Sequence, residues 1–523
     1  MNSRPNILFL LSDEHSFRFG SFADEKDREP VETPALGRLA EKGTVFSNAY
    51  CQMPLCSPSR ISMLTGLESR HCGAWWNSSV LRPELPTLPA TFRDSGYSTA
   101  LIGKMHLGGI QQFIGFQNRP YGDLLGSLGH QPEPLDRNSI NEIRSRTSHT
   151  GTTEIPESLI QDQIVSQETV SYLREQKNSS PEQPWFLCAS FSRPHFPLTA
   201  PSRWVDRYWP EGVTQPKVPA AGDAYNHPMS KAMRKGFKSS AIDKEEMMKA
   251  RASYFSCVSY LDEIIGDLLL RLDSSGQLDN TIIVYASDHG EMAGEHGVWW
   301  KNGWYEGCTR VPLIISTPEQ RRGEQPSNKM STPVGLYDIF PTLCDLAGVE
   351  APSDLNGRSL ASSVREGKCA KIQPVVCDNF MPRWGEGSQF RSIRLGDYKY
   401  VRFKDAQPLF FNLRNDPEEQ RNLLVHELSP EAQDVLDSLK ESSELNIDFD
   451  DIEKTRLERD GSLRENFAIG FDRKGHVHLN QYHFPSGRII AADDPVYSPT
   501  VISESAETLF GKDWNRQNSS DNT

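Results

Sequence analysis

The sequence predicts an α/β fold with a large, mostly parallel sheet sandwiched by helices and a smaller C-terminal antiparallel-sheet subdomain. The first part rests on buried-looking apolar runs that alternate with amphipathic segments, as expected for a parallel sheet covered on both faces. The second part rests on three short strand-like runs that follow residue 385. We therefore expect a large α/β domain over residues 1–385 and a C-terminal subdomain, with its sheet, a helix and a tail, over 386–523.

Local signals predict the elements of the large domain in order. Residues 6–11 form an apolar strand, and Thr33 followed by Pro34 predicts the N-cap and first turn of a helix. Periodicity predicts further helices over 60–67, 88–95, 159–175, 244–272 and 335–347, and strands over 98–102, 185–191 and 281–287. Two polar or proline-rich stretches predict a surface insertion over 108–153 and an irregular rim over 201–238.

The pattern changes in the C-terminal part. Short β-rich runs at 390–395, 398–403 and 409–413, separated by turns, predict an antiparallel meander, and a helix is expected over 429–442. Beyond residue 445 a solvated extension is the favoured interpretation. A substrate-facing flap is the alternative, on account of His476, His478, Tyr482 and His483.

Composition narrows the class of protein. The chain has 523 residues and a net charge of −14 with no basic run, which argues against a nucleic-acid partner. The longest apolar run near the N-terminus is too short for a membrane span. Nine scattered cysteines argue against a disulfide framework and favour the cytoplasm, or the periplasm or secretion if a signal peptide was removed. We expect no membrane partner, and an oligomer is left open.

Acidic residues follow two predicted strands that lie far apart in the sequence. Asp13 and Glu14 end the first strand, and Asp288 and His289 follow the strand over 281–287. Ligands of open α/β sheets collect at the carboxyl ends of the strands. Carboxylates with one imidazole suit a hard divalent cation, whereas a single strand ending in Asp is more often a loop cap. Together, the two pairs favour a metal site.

The most specific motif is the pentapeptide Cys56-Ser57-Pro58-Ser59-Arg60. Alone it could be an ordinary helix start with a first-turn proline. Other short motifs accompany it, namely Thr65-Gly66, Gly103-Lys104-Met105-His106-Leu107, Arg193-Pro194-His195-Phe196-Pro197, Asp288-His289-Gly290-Glu291 and Lys301. Over about residues 4–425 the combination resembles type I sulfatases of the alkaline phosphatase superfamily. Its motifs are similar to the branch that includes choline sulfatases, phosphonate monoester hydrolases and carbohydrate sulfatases.

The resemblance implies a modified nucleophile on a metal. A maturase would oxidise Cys56 to Cα-formylglycine, whose hydrated form offers one hydroxyl to attack and a second to expel the product. Asp13, Asp288, His289 and the converted Cys56 would hold Ca²⁺, with Mg²⁺ or Mn²⁺ as alternatives. Glu14 is included among the expected metal ligands, although many members of the family have a second Asp at this position. His289 replaces the Asn that is frequent in arylsulfatases.

The resemblance also assigns roles to the remaining motif residues. Arg60 would hold the formylglycine, and Lys104 with Lys301 would clamp the sulfate oxygens. His106 would accept a proton when sulfate is released. His195 would be the general acid for the leaving oxygen, with Lys301 as the competing candidate.

Substrate contacts beyond the sulfate are expected from Asn77, Trp300 and Trp304. Adjacent aromatic residues cannot all point into the core, so some are expected to line the pocket.

Three functions follow from these observations. The first is a sulfatase that hydrolyses an alkyl or carbohydrate sulfate monoester, so that the partner is a sulfated small molecule or glycan. The second is a phosphonate monoester or phosphodiester hydrolase on the same scaffold. The third, a non-catalytic sulfate- or glycan-binding relative, is disfavoured because a binding protein needs no nucleophile.

Overall fold

The computed structural model describes residues 4–467 except 78, 108–112, 123–144, 219–220, 383, 386, 442–444 and 446. The extended tail, including His476, His478, Tyr482 and His483, lies outside the described residues. No helix in the described part of the chain is long and apolar enough to cross a membrane.

An eight-stranded sheet forms the centre of the large domain. Its strands, in spatial order, are Asn328–Met330, Thr44–Phe46, Leu313–Ser316, Thr281–Ser287, Asn6–Asp13, Trp185–Pro194, Ser98–Gly103 and Asn118–Tyr121. Neighbouring strands are parallel except at Leu313–Ser316, which is antiparallel to both of its neighbours. The predicted mostly parallel sheet is confirmed.

Alternate residues of the strand Asn6–Asp13 enter two separate cores, one on each face of the sheet. Ile7, Phe9 and Leu11 belong to one cluster, whereas Leu8 and Leu10 belong to the other. All five side chains have no exposed surface. Helices therefore cover both faces, as the continuous apolar run of this strand requires.

The helices enclose the sheet and connect its strands. Their bounds are Pro34–Glu41, Cys56–Thr65, Ser69–Cys72, Leu88–Asp94, Ser145–Ser148, Gln161–Ser179, Ser202–Tyr208, Asp223–Asn226, Pro228–Gly236, Lys244–Ser274, Glu306–Thr309, Pro318–Arg321, Ile339–Ala347, Ala361–Glu366, Pro430–Glu441 and Phe449–Phe467. Short 3₁₀ turns span Glu157–Leu159, Ser239–Ala241, Glu295–Gly297, Leu336–Asp338 and Leu423–Val425. Small ladders add Gly151–Thr152 with Thr199–Ala200, and Ala49–Tyr50 with Arg310–Val311 and Val334–Gly335.

The prediction of an irregular rim over 201–238 is wrong, whereas the predicted insertion over 108–153 lies mostly outside the described residues. The stretch over 201–238 contains three helices, of which Pro228–Gly236 starts with a proline and is capped by His227, which accepts from the Met229 N–H at 3.3 Å. The stretch over 108–153 contains Asn118–Tyr121, the edge strand of the main sheet. The helices in 201–238 were missed because of the proline and tryptophan content of the stretch. The strand Asn118–Tyr121 was missed because it is short.

The smaller sheet is antiparallel, in the order Val375–Asn379, Phe390–Leu395, Tyr398–Phe403 and Leu409–Asn412. The three predicted strands are present, and Val375–Asn379 precedes the expected boundary at residue 385. One face packs on the helix Pro430–Glu441. The division into domains at that boundary stays a prediction.

A buried lysine connects the smaller sheet to the large domain. Lys399 Nζ lies 3.0 Å from Glu306 Oε1 and 2.8 Å from Glu419 Oε1, and all three residues are almost fully buried. Tyr50 completes the group by donating to Glu306 Oε2 at 2.9 Å. Burial lowers the pKa of Lys399, but the two carboxylates raise it above its ordinary value, so the lysine is a cation.

The first helix has the predicted N-cap residue and first-turn proline, but another residue accepts from its first N–H groups. Thr33 is its N-cap residue, but its hydroxyl bonds Ser21 and makes no cap hydrogen bond. Asp262, from the long helix, instead accepts from the N–H groups of Ala35 and Leu36, each at 2.8 Å. A carboxylate at this position also complements the helix dipole.

Replacing Asp262 by Ala should lower the free energy of unfolding by about 2–4 kcal/mol, because two buried N–H groups lose their acceptor. The midpoint of thermal unfolding checks this expectation. Asp267→Ala, an exposed position on the same helix, is the matched control and should leave the midpoint nearly unchanged. Equal midpoints for the two variants would contradict the capping role.

Candidate active site

Two adjacent parallel strands deliver the acidic residues to one point. Asn6–Asp13 pairs in register with Thr281–Ser287, so that Ser12 lies opposite Ser287 and the next residues, Asp13 and Asp288, meet at the carboxyl edge. The Glu14 N–H donates to Asp288 Oδ1 at 3.1 Å and closes this edge. Both aspartates are fully buried, so their charges need nearby cations.

The helix Cys56–Thr65 brings the pentapeptide to the same edge. Its ten residues are all buried, and Cys56 is its first residue. Arg60 follows about one turn later, so both side chains point towards the two aspartates. The helix start adds the positive end of its dipole at Cys56.

Arg60 donates four hydrogen bonds that connect the elements of the site. Its Nε donates to Asp288 Oδ2 at 2.7 Å and its Nη2 to Asp13 Oδ2 at 3.0 Å. Nη1 donates to the Lys104 carbonyl at 2.6 Å and to Ser190 Oγ at 3.0 Å. Burial lowers the pKa of Arg60, but Asp288 and Asp13 raise it above the ordinary value.

The remaining oxygens of the aspartates face a cluster of potential metal ligands. One donor atom each from Asp13, Cys56, Asp288 and His289 lies within 4.8 Å of all the others. His289 Nε2 is 3.7 Å from Asp13 Oδ1 and 3.6 Å from Asp288 Oδ1. Its Nδ1 lies 3.0 Å from the Gly290 carbonyl, which can only accept, so Nδ1 carries the proton and Nε2 faces the cluster.

The electrostatics of this cluster fit a cation. Burial lowers the pKa of His289, and so does the charge of Lys301. Asp288 and Cys56 outweigh both effects and raise the pKa to about 9. The position therefore attracts positive charge, which a divalent ion could supply in place of the imidazole proton. Two carboxylates and one imidazole are suitable ligands for such an ion.

Cys56 lies among cations. Its Sγ is 3.2 Å from His289 Nε2 and 3.5 Å from Lys301 Nζ. Burial and Asp13 raise the pKa of the thiol, but Lys301, His289 and Lys104 outweigh them and lower it to about 5. The position thus stabilises a negatively charged atom, which is what an activated nucleophile requires.

Two lysines flank the acidic residues. Lys104 Nζ is 2.6 Å from Asp13 Oδ2, and Lys301 Nζ is 2.9 Å from Glu14 Oε2. Burial lowers the pKa of Lys301, but Cys56 and Glu14 raise it above its ordinary value. Glu14 therefore pairs with Lys301 and lies outside the four-residue metal cluster, although it forms a second acidic group with Asp13 and His195.

The surroundings of His195 disfavour its protonated form. Burial, followed by the nearby Lys104 and Lys301, holds its pKa well below the ordinary value. Nδ1 lies 2.7 Å from the Phe196 carbonyl and so carries the proton, which leaves Nε2 as an acceptor. That Nε2 is 3.4 Å from Glu14 Oε2, on the side of the site that contains Lys301.

Ser57 connects the loops that carry the other predicted residues. Its hydroxyl is placed to donate to the carbonyls of Asn77, at 2.9 Å, and His106. Its N–H donates to Asn77 Oδ1 at 3.3 Å. His106 has a φ of 56°, an uncommon value for a residue other than glycine, so this contact helps to fix a strained turn.

The predicted aromatic substrate contacts are placed differently. Trp304 has no exposed surface and packs edge-on against Phe390 and Phe403. Trp300 is 2% exposed and packs against Phe237. Both side chains are therefore buried: Trp304 packs against the smaller sheet, whereas Trp300 packs against Phe237 with the guanidinium carbon of Arg146 5.7 Å from its ring.

Sequence reasoning missed several supporting residues. Ser57 lies inside the pentapeptide, but the motif does not reveal which loops its hydroxyl reaches. Ser190 accepts from Arg60 and lies in the strand that leads to His195, but nothing in the sequence marks it as a site residue. Glu291 was quoted in a motif without a role, and it accepts from the N–H groups of Ala293 at 2.8 Å and Trp300 at 2.6 Å, which fixes the loop that carries Lys301.

Comparisons with solved structures agree with the fold. The chain is similar to the phosphonate monoester hydrolase of Agrobacterium radiobacter, with a TM-score of 0.68, 22% identity and coverage of 90% of this chain and 99% of that one. It is also similar to a protein solved in complex with its substrate D-glucosamine-2-N,6-O-disulfate, with a TM-score of 0.65, 23% identity and coverage of 89% and 99%.

Sequence comparisons give the family. A choline-sulfatase from Rhizobium meliloti is 31% identical over 455 residues, which cover 84% of this chain and 86% of the relative. An arylsulfatase from Clostridium perfringens is 29% identical over 461 residues, covering 83% and 93%. The Sulfatase family model matches residues 5–349, and the model of the C-terminal part of N-sulphoglucosamine sulphohydrolase matches residues 294–446. The chain therefore belongs to the sulfatase family and is a sulfuric ester hydrolase.

Proposed function

We propose that this enzyme hydrolyses a carbohydrate or alkyl sulfate monoester with a formylglycine formed from Cys56. The observation that carries the proposal is the position of Cys56 at a helix start, with the metal-ligand cluster on one side and Lys301 on the other. Relatives named choline-sulfatase and a neighbour solved with a disulfated glucosamine support this range of substrates.

The metal and the modified residue supply the nucleophile. The family generally uses both, and the donor atoms of Asp13, Asp288, His289 and Cys56 fit an oxygen-rich divalent site. When bound, the ion lowers the pKa of a diol hydroxyl and so favours attack on sulfur. We propose Ca²⁺ because of the two carboxylates, and the imidazole of His289 leaves Mg²⁺ and Mn²⁺ as alternatives.

The cations of the site would stabilise the sulfuryl group. Lys104 and Lys301 are buried, so their charges act on the sulfate oxygens with little screening by water. Arg60 would position the nucleophile by fixing Asp13 and Asp288. Glu14 would position Lys301 rather than bind the metal.

The leaving oxygen needs an acid, and His195 and Lys301 remain the two candidates. Burial, followed by the charges of Lys104 and Lys301, holds the pKa of His195 well below its ordinary value. An anionic sulfate ester placed between these lysines would offset that repulsion and raise the pKa of His195, so that Nε2 could carry a proton to the leaving oxygen. His106 would accept the proton in the later step that releases sulfate.

The proposal also implies partners and a location. A formylglycine-generating maturase is needed for Cys56, and the substrate is a sulfated small molecule or glycan. The cysteines of the described part of the chain form no disulfide, which supports a reducing compartment such as the cytoplasm. Asn77 is proposed as a contact to the substrate beyond the sulfate, since its amide lies at the start of the catalytic helix.

A phosphonate monoester hydrolase is the second candidate, favoured by the similarity to the Agrobacterium radiobacter enzyme. The test compares sulfate and phosphonate esters of one chromophore, using protein in which mass spectrometry shows that the Cys56 peptide has lost sulfur and gained oxygen. We expect turnover of the sulfate ester, and none with Cys56→Ala. A preference of about 50-fold or more for the phosphonate, equivalent to about 2.3 kcal/mol in the barrier, would reverse the assignment.

Asp13→Asn and Asp288→Asn should each abolish turnover, because each removes a negative charge from the proposed metal site. Chelation of wild-type enzyme should do the same, and added Ca²⁺ should restore activity. Metal content, measured together with the midpoint of thermal unfolding, separates loss of the ion from unfolding. Full turnover by metal-free wild-type protein would disprove the metal assignment.

His195→Ala should slow esters with poor leaving groups about 10²–10⁴-fold while affecting a nitrophenyl ester much less, since a nitrophenolate departs without a proton. Lys104→Ala is the matched comparison and should slow both esters similarly, because the sulfuryl oxygens are common to them. The ratio of kcat/KM values for alkyl and aryl sulfates is the measurement. Equal losses for both esters in His195→Ala would transfer the acid role to Lys301.

A further inference from the structure

Lys301, one of the two lysines proposed to bind the sulfate oxygens, lies between two residues with a left-handed backbone conformation. Trp300 has a φ of 66° and Asn302 has a φ of 76°. Neither residue is glycine, and a side chain disfavours this conformation, so surrounding contacts must hold it in place. The position of the Lys301 ammonium, 3.5 Å from Cys56 Sγ, therefore depends on what binds its two neighbours.

Side chains from two different parts of the chain hold these neighbours. The Trp300 N–H donates to Glu291 Oε1 at 2.6 Å, a contact within the loop itself. The Asn302 N–H donates to the Pro54 carbonyl at 2.9 Å, and the Asn302 carbonyl accepts from Asn379 Nδ2 at 2.8 Å. Asn302 and Asn379 are 2% and 1% exposed, so water cannot easily replace this bond.

The strand Val375–Asn379 of the smaller sheet ends at this donor. The N–H of the preceding residue, Asp378, donates to the Gln52 carbonyl at 2.8 Å. The following residue, Phe380, belongs to the same buried apolar cluster as Met53. The end of the strand is thus attached to the segment that leads into the nucleophile, which fixes the donor relative to the catalytic centre.

We propose that Asn379 is a positioning residue for Lys301, supplied to the catalytic centre by the smaller sheet. The inference rests on the proposed function, in which Lys301 contacts the sulfuryl group. By binding the Asn302 carbonyl, the Asn379 amide fixes the backbone that follows Lys301 and thereby directs the ammonium towards Cys56. The smaller sheet then contributes to the reaction without touching the substrate.

Amide hydrogen exchange tests the contact without turnover. In Asn379→Ala, the peptide that contains residues 299–303 should exchange about 10-fold faster or more, because the Asn302 carbonyl loses its donor and the loop opens more readily. Asn379→Asp keeps the shape and the Oδ1 that accepts from the Met381 N–H at 3.1 Å, but it lacks the Nδ2 donor and should show the same change. Equal exchange in the wild type and both variants would overturn the proposal.

Asn422→Ala is the matched control for lost stability. Asn422 is also buried, and its Oδ1 accepts from two backbone N–H groups, at 3.0 and 3.2 Å. One of these belongs to the edge strand Leu409–Asn412, at the opposite side of the smaller sheet from Val375–Asn379. The control should lower the midpoint of thermal unfolding but leave kcat/KM and the exchange near Lys301 unchanged. Equal losses of kcat/KM in Asn422→Ala and Asn379→Ala would reject the positioning role.

A double-mutant cycle identifies the group through which Asn379 acts. The substrate is whichever ester, sulfate or phosphonate, the wild type hydrolyses faster. Asn379→Ala should lower kcat/KM about 10-fold to 100-fold in the wild type, but less than about 2-fold in Lys301→Met, where no ammonium remains to be positioned. Equal losses in both backgrounds would overturn the proposal. If the wild type hydrolyses neither ester, the proposed function fails, and hydrogen exchange alone decides whether Asn379 holds the lysine loop.

Discussion

The site depends on the contact of one buried guanidinium with two buried carboxylates. Asp13 and Asp288 would repel each other at the end of adjacent strands, and neither reaches water. Arg60 occupies one oxygen of each, which leaves the other oxygens directed at Cys56 and His289. A buried ion pair of this kind contributes little net stability, but it fixes which oxygen faces which partner.

The same constraint explains the distribution of charge around the nucleophile. Lys104 adds a second cation to Asp13, and Lys301 is held by Glu14. These cations lower the pKa of the Cys56 thiol, and burial together with Lys104 and Lys301 lowers the pKa of His195. The protonation states of the site therefore respond to one another, and an incoming anion changes more than the atom it contacts.

Sequence reasoning was most successful where local patterns determine geometry. Asp13 and Asp288 could be brought together because neighbouring parallel strands end at one edge, and the apolar runs predicted the strands themselves. Thr33 and Pro34 occupy the predicted N-cap and first positions, but the acceptor of the first N–H groups, Asp262, could not be predicted because it comes from a helix more than 200 residues away. Trp304 could not be placed, since an aromatic residue gives no signal of which side it packs on.

The residues of the metal-ligand cluster and Arg60 were all among the motif residues chosen from the sequence. The residues that hold them in place by hydrogen bonds could not be predicted in this way. Ser57, Ser190 and Glu291 act through hydrogen bonds to distant loops, and such contacts depend on the packing of the whole chain.

The burial of the helix Cys56–Thr65 determines whether modification of Cys56 can come before or after folding. A macromolecular catalyst cannot reach a side chain with no exposed surface at the centre of a finished domain. The proposed conversion of Cys56 would therefore have to occur on the nascent or unfolded chain, in competition with folding. A sequence change that speeds formation of this domain would then lower the fraction of active molecules while leaving their structure and stability intact.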